Sequence, residues 1–133
     1  MRLTSFTDFG LRALMRLAGR PDRAFTTEEL ADELGISRNH LTKIIGDLSR
    51  AGYLKTQRGA TGGVRLARPA DSITLGDVVR RLEERQALVE CFRADGGACS
   101  LTPTCRMRSR LAAAQGAFLA ALDRTTLADC AHP

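Results

Sequence analysis

Between Leu34 and Arg38 the chain has only Gly35, Ile36 and Ser37, and both sides carry the marks of a helix. Upstream, Thr26 with Glu29 forms a capping box, which predicts a short helix running through Leu34. Gly35 then reads as the left-handed residue that stops it, and Ser37 as the cap of a helix running to about Ala51. In that helix Leu41, Ile44, Ile45 and Leu48 share one face, while Arg38, Asn39, Thr42, Lys43 and Arg50 mostly lie elsewhere. Two helices held by so short a turn, the second with a polar and basic outer face, make a helix-turn-helix or part of a plain three-helix bundle.

The flanking segments favour the first reading. Residues 4–19 have helical spacing of Leu11, Leu14, Met15 and Ala18, with Thr4 and Thr7 as alternative caps. Tyr53-Leu54 and Leu66-Ala67 bracket two short strands joined by RGATGG, and a hairpin in that place is a wing. Thr74 with Asp77 opens another helix to about Glu84, and Pro103 suits the first turn of a long one. Leu111, Ala114, Phe118 and Leu122 give the long helix an apolar stripe, which can pack back on the chain or pair with a second copy. Pairing is favoured, because two-fold symmetric regulators read palindromic sites. Thr125 or Thr126 starts a last turn. The expected fold is mainly α with a small β-hairpin wing: a winged helix-turn-helix domain over 1–84, a cysteine-rich loop over 85–106, and a dimerisation helix with its tail over 103–133.

Charge is concentrated in the same region. The formal net charge is +5, yet residues 36–68 hold seven basic side chains against one acid, Asp47, leaving the remainder slightly acidic. Concentrated positive charge on one surface favours a polyanion partner, here double-stranded DNA. Arg38, Asn39, His40, Thr42 and Lys43 are the candidates for the major groove, Arg50 for a phosphate, and Arg58 and Arg65 for the wing. An enzyme is not expected, and a small redox or electron-transfer protein is only the more distant alternative, since His40 and His132 are the only histidines and neither a nucleophile–base pairing nor a C-x-x-C is visible. No apolar run approaches the roughly 18 residues of a membrane span, and MRLTSFTDFG is not a signal peptide, so a cytoplasmic location is expected.

Cys91, Cys99 and Cys105 lie close together, separated by seven and then five residues, while Cys130 stands alone. In a reducing compartment such a group is a candidate for soft-metal or redox chemistry rather than a disulfide framework. Zinc, an iron–sulfur cluster and buried free thiols all remain open on spacing. A Gly-rich polar loop is a poor place to bury three small hydrophobes. Cys130 reads as structural or incidental.

The strings LTSFTDFGLRAL, SRNHLTKII, LSRAGY, RGATGGVRLARPADSITLGDVV and PTCRMRSRL together resemble the Rrf-type winged-helix transcription regulators, over nearly the whole chain. Within that family the resemblance is to the NsrR branch of nitric-oxide-sensing repressors. It implies a homodimer joined by the long helices, and an iron–sulfur cluster, 4Fe-4S with 2Fe-2S as the alternative, held by Cys91, Cys99 and Cys105. It further implies that an aspartate on the first helix of the other subunit supplies the fourth ligand, a position that Asp8 occupies. Nitric oxide would then be the signal and a palindromic operator the target. One departure is the seven-residue first gap, which is similar to that of the iron-responsive RirA branch and keeps an iron- or cluster-status regulator as the alternative.

Overall fold

The computed structural model describes residues 1–133, and four of its five α-helices begin where short polar side chains satisfy the first free N–H groups. Helix α1 (Ser5–Ala18) is capped by Thr4, whose Oγ1 accepts from the Thr7 N–H at 3.3 Å. The alternative cap, Thr7, is fully buried inside the helix. Helix α2 (Thr27–Leu34) has both halves of its capping box: the Glu29 N–H donates to Thr26 Oγ1 (3.1 Å) and the Thr26 N–H to Glu29 Oε2 (2.8 Å). Gly35 has φ +64°, and the Ile36 N–H folds back to the Ala31 carbonyl at 3.0 Å. Only a residue without a Cβ takes that conformation cheaply. Helix α3 (Arg38–Arg50) starts at Ser37, whose Oγ accepts from the His40 N–H.

These helices meet in one apolar core. Leu14 and Leu17 of α1, Leu30 of α2 and Leu41, Ile44 and Leu48 of α3 are all essentially inaccessible. Each such side chain contributes about 1.5–3 kcal/mol through burial. The hairpin, β1 (Leu54–Gln57) and β2 (Gly63–Leu66), is antiparallel with Leu54 opposite Leu66. It does not project freely from the body. Phe25 and Val64 exchange backbone hydrogen bonds of 2.9 and 2.7 Å, so the segment before α2 adds a one-residue third strand to the sheet. A side chain at Gly63 (φ +148°) would run into the Phe25 backbone.

Helix α4 (Leu75–Glu83) is capped by Thr74 as its sequence predicts, the Asp77 N–H donating to Thr74 Oγ1 at 3.1 Å. The long helix differs from expectation at its start. Pro103 lies in a separate 3-10 turn (Thr102–Thr104), and α5 runs from Arg106 to Leu122. Cys105 between them is extended (φ −72°, ψ 112°), so the turn that Pro103 nucleates does not continue into the helix. Of the expected stripe, Leu111, Phe118 and Leu122 are half-buried, Ala114 is exposed, and no residue of α5 is buried. No helix is long and apolar enough to cross a membrane.

After α5 the chain returns to the winged body. The Leu127 N–H donates to the Ile73 carbonyl (2.8 Å), the Leu75 N–H to the Thr125 carbonyl (2.9 Å), and Leu127 belongs to the same core cluster as α1. Thr126 starts the last 3-10 turn, Ala128–Cys130, through reciprocal bonds with Asp129. The His132 N–H reaches the Met15 carbonyl at 3.0 Å, and the tail crosses Gly19 so closely that a Cβ there would strike it.

Two substitutions separate packing from backbone conformation. Leu127→Ala removes a fully buried side chain and should cost about 2–5 kcal/mol. Gly35→Ala meets nothing within 4 Å and should cost only its left-handed strain, about 1–2 kcal/mol. Urea melts at fixed protein concentration give the order. Equal losses would show that the tail is not part of the cooperative core.

Candidate nucleic-acid interface and cysteine cleft

The first two turns of α3 present Arg38, Asn39, Thr42 and Lys43 to solvent. Arg38 makes one contact, to Glu28 Oε2 at 3.3 Å, with both side chains about two-thirds exposed (66% and 63%). An ion pair in that setting is worth little, so the guanidinium is available to a stronger anion. Thr42 Oγ1 donates to the Arg38 carbonyl at 2.8 Å. Arg50 is exposed, with Asp47 at 3.7 Å. His40 sits differently from its neighbours. Its ring lies edge-on to Phe9 (5.3 Å between centroids) and near Phe6 (6.1 Å), in the seam between α1 and α3.

The wing divides its arginines in the same way. Arg58 is exposed at the tip, beside Gly59 at φ +105°. Arg65 is half-buried and donates to the Pro21 carbonyl (3.1 Å) and to Gln57 Oε1 (3.3 Å), so its guanidinium ties the wing to the turn after α1. Lys55, one of the seven basic residues of the 36–68 run but not one of the wing candidates, is exposed on β1; strand alternation against buried Leu54 is the signal that marks it. Arg81 and Arg85 lie outside that run. They line a cleft of about 370 Å³ with Lys43 and Arg50 at the back of α3, where Arg81 donates to Asp47 at 2.9 Å.

The segment joining α4 to α5 carries the three cysteines. Cys91 lies in a 3-10 turn (Glu90–Phe92) and Cys105 is the N-cap of α5. Both line one cleft of about 660 Å³, together with Phe92, Arg93, Thr102 and Arg108. Cys99 is half-buried on the intervening loop and is not part of that lining. The loop is shaped by Gly96 and Gly97 (φ +80° and +66°), by Asp95 accepting the Gly97 N–H and by Glu90 accepting the Ala98 N–H. All four cysteines are free thiols, and no three potential ligands gather around one centre. Asp8 lies on the exposed side of α1, both its oxygens held by Arg12 at 2.7 and 3.0 Å, and does not line its own chain's cleft.

The cleft nonetheless suits a soft, anionic, sulfur-ligated group. Two thiols share its wall, and Arg93 and Arg108 border it. The N-terminus of α5 also has no capping side-chain bond and no acid in its first turn, which leaves its positive end uncompensated. Bringing in Cys99 requires movement of the Gly96-Gly97 segment, where glycine makes backbone rearrangement inexpensive. Helix α5 is tied to α4 by the Arg80–Asp123 pair (2.6 and 2.7 Å), and that guanidinium holds the Asp123 carboxyl below its usual range.

Known proteins share this fold. The structure is similar to IscR of T. potens (28% identity, TM-score 0.76), covering 97% of this chain and 85% of that one. It is similar to the oxidized form of Staphylococcus aureus CymR (27% identity, TM-score 0.78), covering 100% and 98%. It is also similar to CymR (YrzC), the global cysteine regulator of B. subtilis (28% identity, TM-score 0.71), covering 98% and 96%. Residues 3–133 match the family model described as Rrf2, iron-dependent transcriptional regulator. The winged helix-turn-helix fold is thus that of a DNA-binding regulator, and the chain belongs to the Rrf2 family of transcriptional regulators.

Proposed function

We propose that this regulator is a homodimeric repressor that binds a palindromic operator while it holds an iron–sulfur cluster, and that nitric oxide releases it from DNA. The observation that carries the cluster reading is the cleft in which Cys91 and Cys105 face the same space at the uncapped end of α5. Dimerisation is supported by α5 itself, a 17-residue helix rich in alanine and leucine that buries no residue within its own chain. The family to which the chain belongs acts as dimers on DNA.

Cys91, Cys99 and Cys105 of one chain would hold the cluster, with Asp8 of the second copy as the fourth ligand. A cluster bound there would supply iron open to nitric oxide. Asp8 can leave Arg12, because that pair is about half exposed on both sides (50% and 47%) and held only by a weak surface attraction. An oxygen ligand is the hard member of an otherwise soft set, and so the easiest to displace. Release of Asp8 would free α1 of one copy from the cysteine loop of the other. Within each chain, α1 carries the change to α3, since the two helices pack directly. Two recognition helices must enter major grooves about 34–36 Å apart, so a modest rotation lowers operator affinity. Moving the operator from almost full to almost empty requires about 5.5 kcal/mol of differential binding.

Arg38, Asn39, Thr42 and Lys43 meet the major groove, Arg58 the adjoining minor groove, and Arg50 a phosphate. In the same interface His40 and Arg65 hold the recognition helix and the wing in place. A second reading, an iron- or cluster-status regulator, is favoured by the extra loop length at Gly96-Gly97, which resembles iron-responsive members of the family.

Three experiments follow. Operator affinity should fall with salt at about −0.9 in log–log slope per phosphate contact, and Arg50→Ala should reduce the slope by about one. A slope near zero would remove the basic surface from the interface. Arg58→Ala should weaken binding by about 1–3 kcal/mol and more on A·T-rich flanks than on G·C-rich ones. Finally, Asp8→Ala, purified and reconstituted without oxygen, should lose cluster absorbance faster and no longer show a sharp nitric-oxide release in a gel shift. Unchanged cluster retention and response would exclude the aspartate ligand. A wild-type complex that ignores nitric oxide but responds to iron depletion would establish the second reading.

A further inference from the structure

A second basic surface adjoins the recognition residues of α3, and two helices build it. Lys43, Asp47 and Arg50 follow one another at spacings of four and three, so they share one stripe of α3. Arg81, near the end of α4, and Arg85, in the turn after it, line one cleft of about 370 Å³ with that stripe. Asp47 is the one acid of the 36–68 run, and α4 neutralises it. Arg81 donates to its carboxylate at 2.9 Å, with Arg50 at 3.7 Å. Arg81 also lies 3.6 Å from Glu84, the other acid of the cleft. Four cations thus stand against two carboxylates, and Lys43 and Arg85 enter none of the chain's ion pairs. Arg85 is exposed, yet its backbone is held: the Gln86 N–H donates to the Glu83 carbonyl at 2.8 Å and closes the turn around it.

The surplus of positive charge suits an anion, and the cleft is continuous with the recognition surface, since Lys43 belongs to both. In a DNA-binding regulator the anion that comes alongside α3 is the phosphodiester backbone. We propose that this cleft seats one backbone phosphate flanking the major groove, with Arg50 and Arg85 as its contacts. Arg81 serves it indirectly, by keeping the Asp47 charge from repelling the phosphate. The inference rests on DNA binding and is independent of the cluster. Arg85 also lines a neighbouring cleft of about 410 Å³, whose other wall is formed by residues 92–95 of the cysteine segment. A phosphate held by Arg85 is therefore held from the segment that leads to the cysteines. A displacement of that segment alters a DNA contact without any turn of α3.

The test uses the full chain and duplex DNA that the wild type selects from a random-sequence pool, with a shuffled duplex of equal length beside it. Between about 50 and about 200 mM salt the wild type should lose about three- to fourfold more affinity than Arg85→Ala, the difference of one phosphate contact. Arg85→Ala should weaken the selected and the shuffled duplex by the same factor, because a phosphate carries no sequence information. Arg85→Lys keeps the charge and should restore the wild-type salt slope. Arg124→Ala removes an equal charge from an exposed residue in neither cleft, and should leave the slope unchanged. A wild-type slope in Arg85→Ala, or an equal change in Arg124→Ala, overturns the proposal. If Arg50→Ala still lowers the slope, the DNA-binding surface stands without Arg85. A loss confined to the selected duplex also overturns it, since that marks a base contact. A wild-type chain that binds neither duplex, or binds without dependence on salt, overturns the DNA-binding surface as well.

Discussion

The close crossing of α1 over α3 and α4 at Gly10 is the contact on which the other elements depend. A Cβ at Gly10 would stand 2.6 Å from Leu82 Cδ1 of α4 and 3.4 Å from Ile44 Cγ2 of α3. With hydrogen in that place, three helices converge on one point, and their apolar faces close without a gap. Two polar links reinforce the crossing. The Thr4 N–H and Oγ1 donate to Glu83 Oε1 at 2.7 and 2.8 Å, and Arg81 of α4 donates to Asp47 of α3. Interiors packed this densely transmit displacement rather than absorb it. The recognition helix is consequently not free to turn unless α4 or α1 moves with it, and α4 leads directly into the cysteine loop.

The contrast between the two ends of the chain follows from this. In the winged body the helix starts are capped at Thr4, Thr26, Ser37 and Thr74, and the wing is held by Phe25 and Arg65. The region from Glu90 to Leu122 is held more loosely, with a helix start that no side chain caps, half-buried thiols and a helix without a fully buried residue. The tail returning through Leu127 to Ile73, and through His132 to Met15, keeps even this half attached to α1.

How much could be read in advance depended on the range of the interactions involved. Thr26 and Glu29 satisfy one another within three residues, so the start of α2 was legible, as were the Gly35 stop and the Ser37 cap. Pro103 misled, because a proline suits the first turn of either an α-helix or a 3-10 turn, and the extended Cys105 decides between them. The basic face was visible as charge, but not which cations are already engaged. Arg65 is committed to Pro21, a residue 44 positions away, and His40 to Phe6 and Phe9 on another helix.

The sequence alone determined where the capped helices and the wing begin and end, though not the start of α5, since caps, turns and apolar periodicity act over three or four residues. It also determined the chemistry of the candidate site, since thiols and a carboxylate have the same donor character wherever they sit. The tertiary structure decided which of those residues meet. It placed Cys91 and Cys105 on one cleft with Thr102 and left Cys99 apart; it set Asp8 against Arg12 and drew the tail across Gly19. Such meetings arise between segments tens of residues apart, and a side chain carries no mark of the partner that packing will bring to it.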